Sequence, residues 1–210
     1  MRWFAATLGL LVLLACHPQP GSRGYARDAA VVPDADFNQL FAAYGNGWTG
    51  GDGTVSIRLP DGRSLWLFGD SFLGDVDPDG GRAADTPFIR NCALIHSQGR
   101  LTPLHGKRDG APAALFQPAV AGEWYWPGDG MVLDERLLVF LHRFKPTGAG
   151  LWDWQWTGTD LALITLPALH IENIRALPFA NGVRYGASIL EHQSSIYIYG
   201  VAEAEGRKHL

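Results

Sequence analysis

Three times along this chain an aromatic residue and glycine open onto a strand, a polar turn and a second strand, and this recurrence limits the fold more than any other feature. Trp48-Thr49-Gly50-Gly51-Asp52-Gly53 leads into residues 54–59, the turn Pro60-Asp61-Gly62 and residues 64–68. Trp126-Pro127-Gly128-Asp129-Gly130 leads into residues 131–133, the turn Asp134-Glu135-Arg136 and residues 137–141. Tyr185-Gly186 leads into residues 187–190, a polar turn over 191–195 and residues 196–199. Gly51, Gly128 and Gly186 are separated by 77 and 58 residues. Repeated hairpins at such intervals are the sequence form of a β-propeller. The 26 Gly, 13 Pro and 8 Trp among 210 residues agree with many short strands and turns. The expected fold is therefore all-β, with about three sheets and one short helix, where Phe37, Leu40, Phe41 and Tyr44 fall at helical spacing.

Hairpin polarity then predicts which side chains meet. In an antiparallel pair the residue before the first strand and the residue after the second lie at one end, so Asp52 and Asp70 should emerge together, opposite the Pro60-Asp61-Gly62 turn. A third strand over 91–97 that starts where the second stopped brings Arg90 and Asn91 to the same rim. Two acids, a guanidinium and an amide suit hydroxyl-rich ligands, whose hydroxyls both donate and accept. The competing reading is structural: the Asp residues cap turns and Arg90 pairs with one of them to close a sheet edge. Trp48 and Trp126, each close to one of the glycine–aspartate turns, are the candidate platforms for sugar rings; the other aromatics are expected to fill the core.

Residues 1–15 carry Arg2, an apolar run and a small residue before Cys16, and are too short to span a bilayer as a mature helix. They read as a secretion signal, and Leu13-Leu14-Ala15-Cys16 resembles the lipobox of bacterial lipoproteins, which implies acylation of Cys16 and an extracytoplasmic protein held at the membrane by that lipid alone. Residues 16–34 suit a flexible tether and 35–210 the domain. Cys92 then lacks an intrachain disulfide partner and is expected as a small buried core residue. The formal net charge is −4, without a basic run, which excludes nucleic acid as a partner on electrostatic grounds.

Other motifs point elsewhere. Asp75-Val76-Asp77-Pro78-Asp79-Gly80 has the alternating carboxylates of a calcium loop, but Thr86 stands where a bidentate Glu would close it, so a solvated acidic loop is read first and calcium at Asp75, Asp77 and Asp79 second. No His spacing suits zinc. Gly69-Asp70-Ser71 after a strand invites comparison with Gly-Asp-Ser esterases, with Ser71 as nucleophile, yet the chain lacks their Gly-x-Asn-Asp and Asp-x-x-His blocks.

The segments 48–53, 65–72, 90–94 and 197–200 together resemble a family of uncharacterised secreted bacterial proteins, of the 4185-type domain of unknown function, expected to be five-bladed β-propellers. That family is similar in architecture to the arabinanase, xylosidase and invertase clan of glycoside hydrolases, and the resemblance spans about residues 37–210. It implies carbohydrate as the ligand, Asp52 as base or nucleophile and Asp129 as the acid that tunes or orients its partner, with Asp70, Arg90 and Asn91 holding sugar hydroxyls. The clan's third acid, a Glu, has no counterpart at Gly186-Ala187; Glu203 lies at the same end of that sheet. Three sheets do not close a ring, so either further sheets belong to a longer chain or partners supply them. A glycoside hydrolase and a non-catalytic carbohydrate-binding lipoprotein are the two readings that follow. For the anchor, labelled fatty acid should enter the wild-type protein and be absent from Cys16→Ser; equal labelling of both would refute it.

Overall fold

The computed structural model describes residues 32–42, 47–178, 181–204 and 207–209, the last five of these by backbone alone. The leader, Cys16 and most of the tether lie outside the described residues, as do Tyr44 and the Glu203 side chain. Among the described residues no helix is long and apolar enough to cross a membrane.

From Ala35 onward the regular elements of the described residues are one helix followed by strands. A helix α1 (Ala35–Ala42) precedes β1 (Gly50–Gly51), β2 (Val55–Arg58), β3 (Ser64–Phe68), β4 (Ser71–Phe72), β5 (Phe88–Ile89), β6 (Cys92–Ser97) and β7 (Arg100–Leu104). A small hairpin, β8 (Gly106–Arg108) and β9 (Ala111–Ala113), leads to β10 (Trp124–Leu133), β11 (Arg136–Pro146), β12 (Trp154–Thr165) and β13 (His170–Ala176). The last strands are β14 (Val183–His192), β15 (Ser195–Ala204) and β16 (Arg207–His209). Three antiparallel meanders result, β2-β3-β6-β7, β10-β11-β12-β13 and β14-β15-β16, and β1-β4-β5 forms a three-stranded flap at one end of the first.

The expected hairpins are present and the second and third are longer than read. Aromatic and β-branched residues carry β10 back to Trp124 and β11 on to Pro146, so Trp152 sits in the tip of the β11–β12 hairpin. The short β13 and the β8–β9 hairpin carry no strong alternation and were not expected.

The first strand of each meander is broken at its glycine motif. β1 and β2 are separated at Asp52-Gly53-Thr54, β10 bulges between Pro127 and Gly130, and β14 bulges between Tyr185 and Ser188. These bulges lie where successive meanders touch. A Cβ on Gly130 would stand 2.7 Å from Ile57 Cδ1 on the first meander, and one on Gly128 would stand 2.4 Å from the Gly186 carbonyl oxygen on the third. A Cβ on Gly186, itself at φ +85°, would meet Phe140 at 2.2 Å.

Apolar faces fill the space between the first and second meanders. Ile57, Leu65, Leu67 and Ala93 face Leu137, Val139, Leu141 and Ala162 in one buried cluster. On its other face the first meander is covered by α1, whose Phe37 and Phe41 rings lie 5.5 and 5.1 Å from Trp66. Trp48 belongs to that cover, 4.7 Å from Phe68 and 6.2 Å from Phe41. The half-buried indole is thus core packing, and the expectation that it is a sugar platform is corrected.

Asn91 is also corrected. It is fully buried, its Nδ2 donates to the carbonyl oxygens of Phe116 and Tyr125 at 3.0 Å each, and its Oδ1 accepts from Phe116 N at 2.7 Å. All its close polar partners are backbone groups that water cannot reach, so it clamps the 114–116 segment and β10 to the first meander and has no capacity left for a ligand. Asn91→Ala should therefore cost about 2–4 kcal/mol in chemical denaturation, because it strands two carbonyls and an amide. A loss under roughly 0.5 kcal/mol would show the clamp to be dispensable.

Candidate functional site

The pairing of β1 with β4 and of β2 with β3 brings Asp52 and Asp70 to one end of the first meander. Asp52 N donates to the Asp70 carbonyl at 3.2 Å, and Gly69 N donates to the Asp52 carbonyl at 2.8 Å. Gly69 leaves room for the acid: a Cβ there would stand 2.5 Å from Asp52 Oδ1 and 3.3 Å from Trp126 Cδ1. The Asp52 side chain therefore lies over bare backbone beside the Trp126 ring, with solvent on its other side.

Asp70 is held by donors from two directions. Arg90 Nη1 lies 3.0 Å from Oδ2 and 3.3 Å from Oδ1, and Trp126 Nε1 donates to Oδ1 at 2.8 Å. Arg90 is itself stacked, its guanidinium carbon 4.5 Å from the Trp124 ring and 5.3 Å from Phe88. Trp126 is wedged among Phe144 at 4.4 Å, Trp154 at 5.0 Å and Trp124 at 5.9 Å. The indole expected as a free platform instead positions Asp70 through its N–H.

Asp129 occupies the β10 bulge. Its Oδ1 accepts from Gly130 N at 2.8 Å and its Oδ2 from Ile189 N, on the third meander, at 2.7 Å. Both oxygens hold backbone, so this acid ties the second meander to the third. His142 makes a parallel tie, its Nε2–H donating to the Tyr185 carbonyl at 2.9 Å; burial pushes the ring down to about 4, which keeps it neutral at neutral pH.

Ser71 is fully buried, donates to the Gly69 carbonyl at 2.9 Å and accepts from Cys92 Sγ at 3.3 Å. It faces the core and has no base beside it, which removes it as an esterase nucleophile. Burial pushes the free Cys92 thiol up to about 11, as suits an unreactive core residue. The acidic loop closes on itself through Asp77 N to the Gly81 carbonyl and Gly80 N to the Asp77 carbonyl, both 2.8 Å, and Gly81 N reaches Asp79 Oδ1 at 3.4 Å. Among the described residues no three His, Cys, Asp or Glu side chains gather closely enough to hold a metal ion.

The sequence reading missed Arg82, which crosses from this loop to Thr49, donating from Nη2 to its carbonyl at 2.6 Å and from Nε to its Oγ1 at 3.0 Å. Nothing in a polar loop singles out one arginine before the fold brings it to the rim. The exposed Phe72 and Phe88, at the two edges of the turn back into the meander, were missed for the same reason.

Across the whole domain, then, this is an all-β protein whose repeated meanders meet along bulged, glycine-bearing first strands. The chain belongs to the family described as a domain of unknown function (DUF5005), which matches residues 34–210. The 4185-type family named by resemblance is a different domain of unknown function. Among curated proteins none matches. A solved crystal structure from Bacteroides ovatus ATCC 8483, provisionally described as a hydrolase, is similar in fold at a TM-score of 0.68 and 23% identity, over 80% of this chain. This chain covers 49% of that one, about half its length.

The electrostatics of the pair carry a stability signature. Burial, and after it the Asp70 charge, raise the Asp52 pKa above its ordinary 3.8. The folded state thus holds this proton more tightly than the unfolded chain does, so ionisation of Asp52 weighs against folding as pH rises through the folded value. Asp52→Asn should raise Tm at neutral pH, and the two proteins should converge as pH falls below the ordinary carboxyl value. A lower Tm for the variant at neutral pH would contradict the arrangement.

Proposed function

We propose that this domain belongs to an extracytoplasmic, lipid-anchored protein that acts on carbohydrate at the mouth formed by Asp52, Asp70, Arg90 and Trp126. In this reading the three meanders are blades of a five-bladed propeller whose first strands line its axis. The observation that carries the reading is the unequal treatment of two neighbouring acids: Asp70 is fixed by Arg90 and Trp126, while Asp52 faces solvent with its proton held more tightly than usual. Such divergence is what general acid–base chemistry needs, one carboxyl exchanging a proton and its neighbour supplying a fixed charge.

Glycoside cleavage would use Asp52 as the base or nucleophile at the sugar, with Asp70 and Arg90 accepting from and donating to its hydroxyls. Asp129 then acts as a positioning residue, because its two oxygens set the second meander against the third. Carboxyl separations of about 5–5.5 Å would give retention and about 6.5–9.5 Å inversion.

A second reading rests on one particular position. The bulge of the third meander carries exposed Ala187 where the first two motifs carry Asp52 and Asp129. A carbohydrate-binding protein needs no proton donor and would tolerate that alanine.

Assay of the full-length protein on a glycan panel separates the two. Cleavage that falls at least about 100-fold in Asp52→Asn and persists in Ser71→Ala supports the hydrolase. Binding without cleavage supports the second reading, and ester cleavage that requires Ser71 overturns both.

A further inference from the structure

Beside the acidic pair runs a line of cations and rings that the chemistry above does not use. Phe72 and Phe88 pair across the β4–β5 flap with ring centroids 5.2 Å apart, and they stay 38% and 45% exposed, unlike the aromatics of the core. Each ring has a guanidinium over it: Arg82 lies 4.9 Å from Phe72 and Arg90 lies 5.3 Å from Phe88. Past Arg90 the surface opens into a cavity of about 810 Å³ whose lining includes Phe88, Arg90, Trp124 and Arg108 together with the acids Asp109 and Glu123.

Two of these cations are not neutralised. Arg82 donates to the carbonyl and hydroxyl of Thr49, and Arg108 donates to Gln117 Oε1 at 2.6 Å, all uncharged acceptors. Among the described residues neither makes an ion pair, whereas Arg63, Arg90, Arg136 and Arg143 all do. Both guanidinium groups thus stand beside the rings and the cavity with no carboxylate on them.

Building on the carbohydrate reading of that site, we propose that the ligand is an acid-bearing glycan, with rings on Phe72 and Phe88 and acid groups on Arg82 and Arg108. Exposed phenyl faces take the apolar face of a sugar ring, and a guanidinium with donors to spare takes a carboxylate or sulfate through paired hydrogen bonds. A neutral glycan could use the rings but would leave both guanidinium charges without a counter-charge. Arg90, committed to Asp70, joins the track to the acidic pair.

The test is equilibrium binding of the full-length protein to a polyuronate and to a sulfated galactan, each beside its carboxyl-reduced or desulfated form. The expected result is at least about tenfold tighter binding of one acid-bearing chain than of its neutral form at low ionic strength, shrinking as salt is added. Arg108→Gln and Arg82→Gln should each weaken the acid-bearing chain about five- to tenfold and leave the neutral form unchanged, while Phe88→Ala weakens both forms. Circular dichroism of each variant separates lost contacts from lost folding, and Arg108, remote from the Thr49 contact, serves if Arg82→Gln unfolds. Equal affinity for acidic and neutral forms, or indifference to both arginine substitutions, overturns the proposal. If neutral glycans are cleaved or bound in an Asp52-dependent way without acid preference, this inference fails and the carbohydrate site stands. If no glycan of either kind binds, both fall.

Discussion

The approach of one meander to the next, close enough that only glycine fits, is the constraint on which everything else here depends. A side chain on Gly130 would strike Ile57, one on Gly128 would strike the backbone at Gly186, and one on Gly186 would strike Phe140. Close packing alone would not require this, because apolar side chains interdigitate at wider spacings. Between the second and third meanders, what requires it is that side chains bond backbone groups across the same contact: Asp129 reaches the amide of Ile189, and His142 reaches the carbonyl of Tyr185. Hydrogen bonds hold only near 2.9 Å, so the strands must come within reach of short side chains, and the bulge supplies both the room and the turn of the chain. The same geometry recurs at Asp52, whose carboxyl lies over Gly69 with Trp126 beyond it.

From this it follows that the candidate site is a by-product of the packing device put to use. At the second motif the acid is consumed by structure, both oxygens on backbone amides. At the first motif the next ring along is Trp126, whose N–H goes to Asp70, and Asp52 is left facing solvent beside a like charge. A backbone-bound acid and a solvent-facing acid thus arise from one local sequence, Gly-Asp-Gly, and their neighbours decide between the two outcomes. The unfavourable charge proximity at Asp52 is the kind of local cost that sites bear and cores do not.

Much of the fold was legible because its signals are local. Alternation and turn residues gave the hairpins at 54–68, 131–141 and 187–199, helical spacing gave α1, and strand polarity alone brought Asp52, Asp70 and Arg90 to one rim. The failures share a cause. Nearness in sequence to that rim points to Trp48, Trp126 and Asn91, but the direction of each side chain is set by partners far along the chain: Phe68 for Trp48, Phe144 and Trp154 for Trp126, and the 116 and 125 backbone for Asn91. Alternation within a strand cannot say which of two faces is wet when both are covered. Arg82, Phe72 and Phe88 escaped for the opposite reason, since a loop and two two-residue strands carry no period from which to read a face.

The three motifs also differ in a way that bears on what the mouth can do. Asp52, Asp129 and Ala187 descend in chemical capability, from an exposed acid, to an acid occupied by backbone, to no acid. If proton donation required one carboxyl from each meander, the third position could not be alanine, so a second proton-transfer group must come from elsewhere or the site does not cleave. Arg90 does not serve, because its guanidinium is committed to Asp70, and Tyr125, whose hydroxyl donates to Asp160 and whose pKa burial pushes further up, is sealed in the interior. What the described residues offer in quantity is instead recognition: fixed acceptors on Asp70, exposed rings on Phe72 and Phe88, and guanidinium groups tied only to neutral partners. Under the proposed reading, binding is therefore the capacity most developed at this rim, and any catalysis would be built on Asp52 within it.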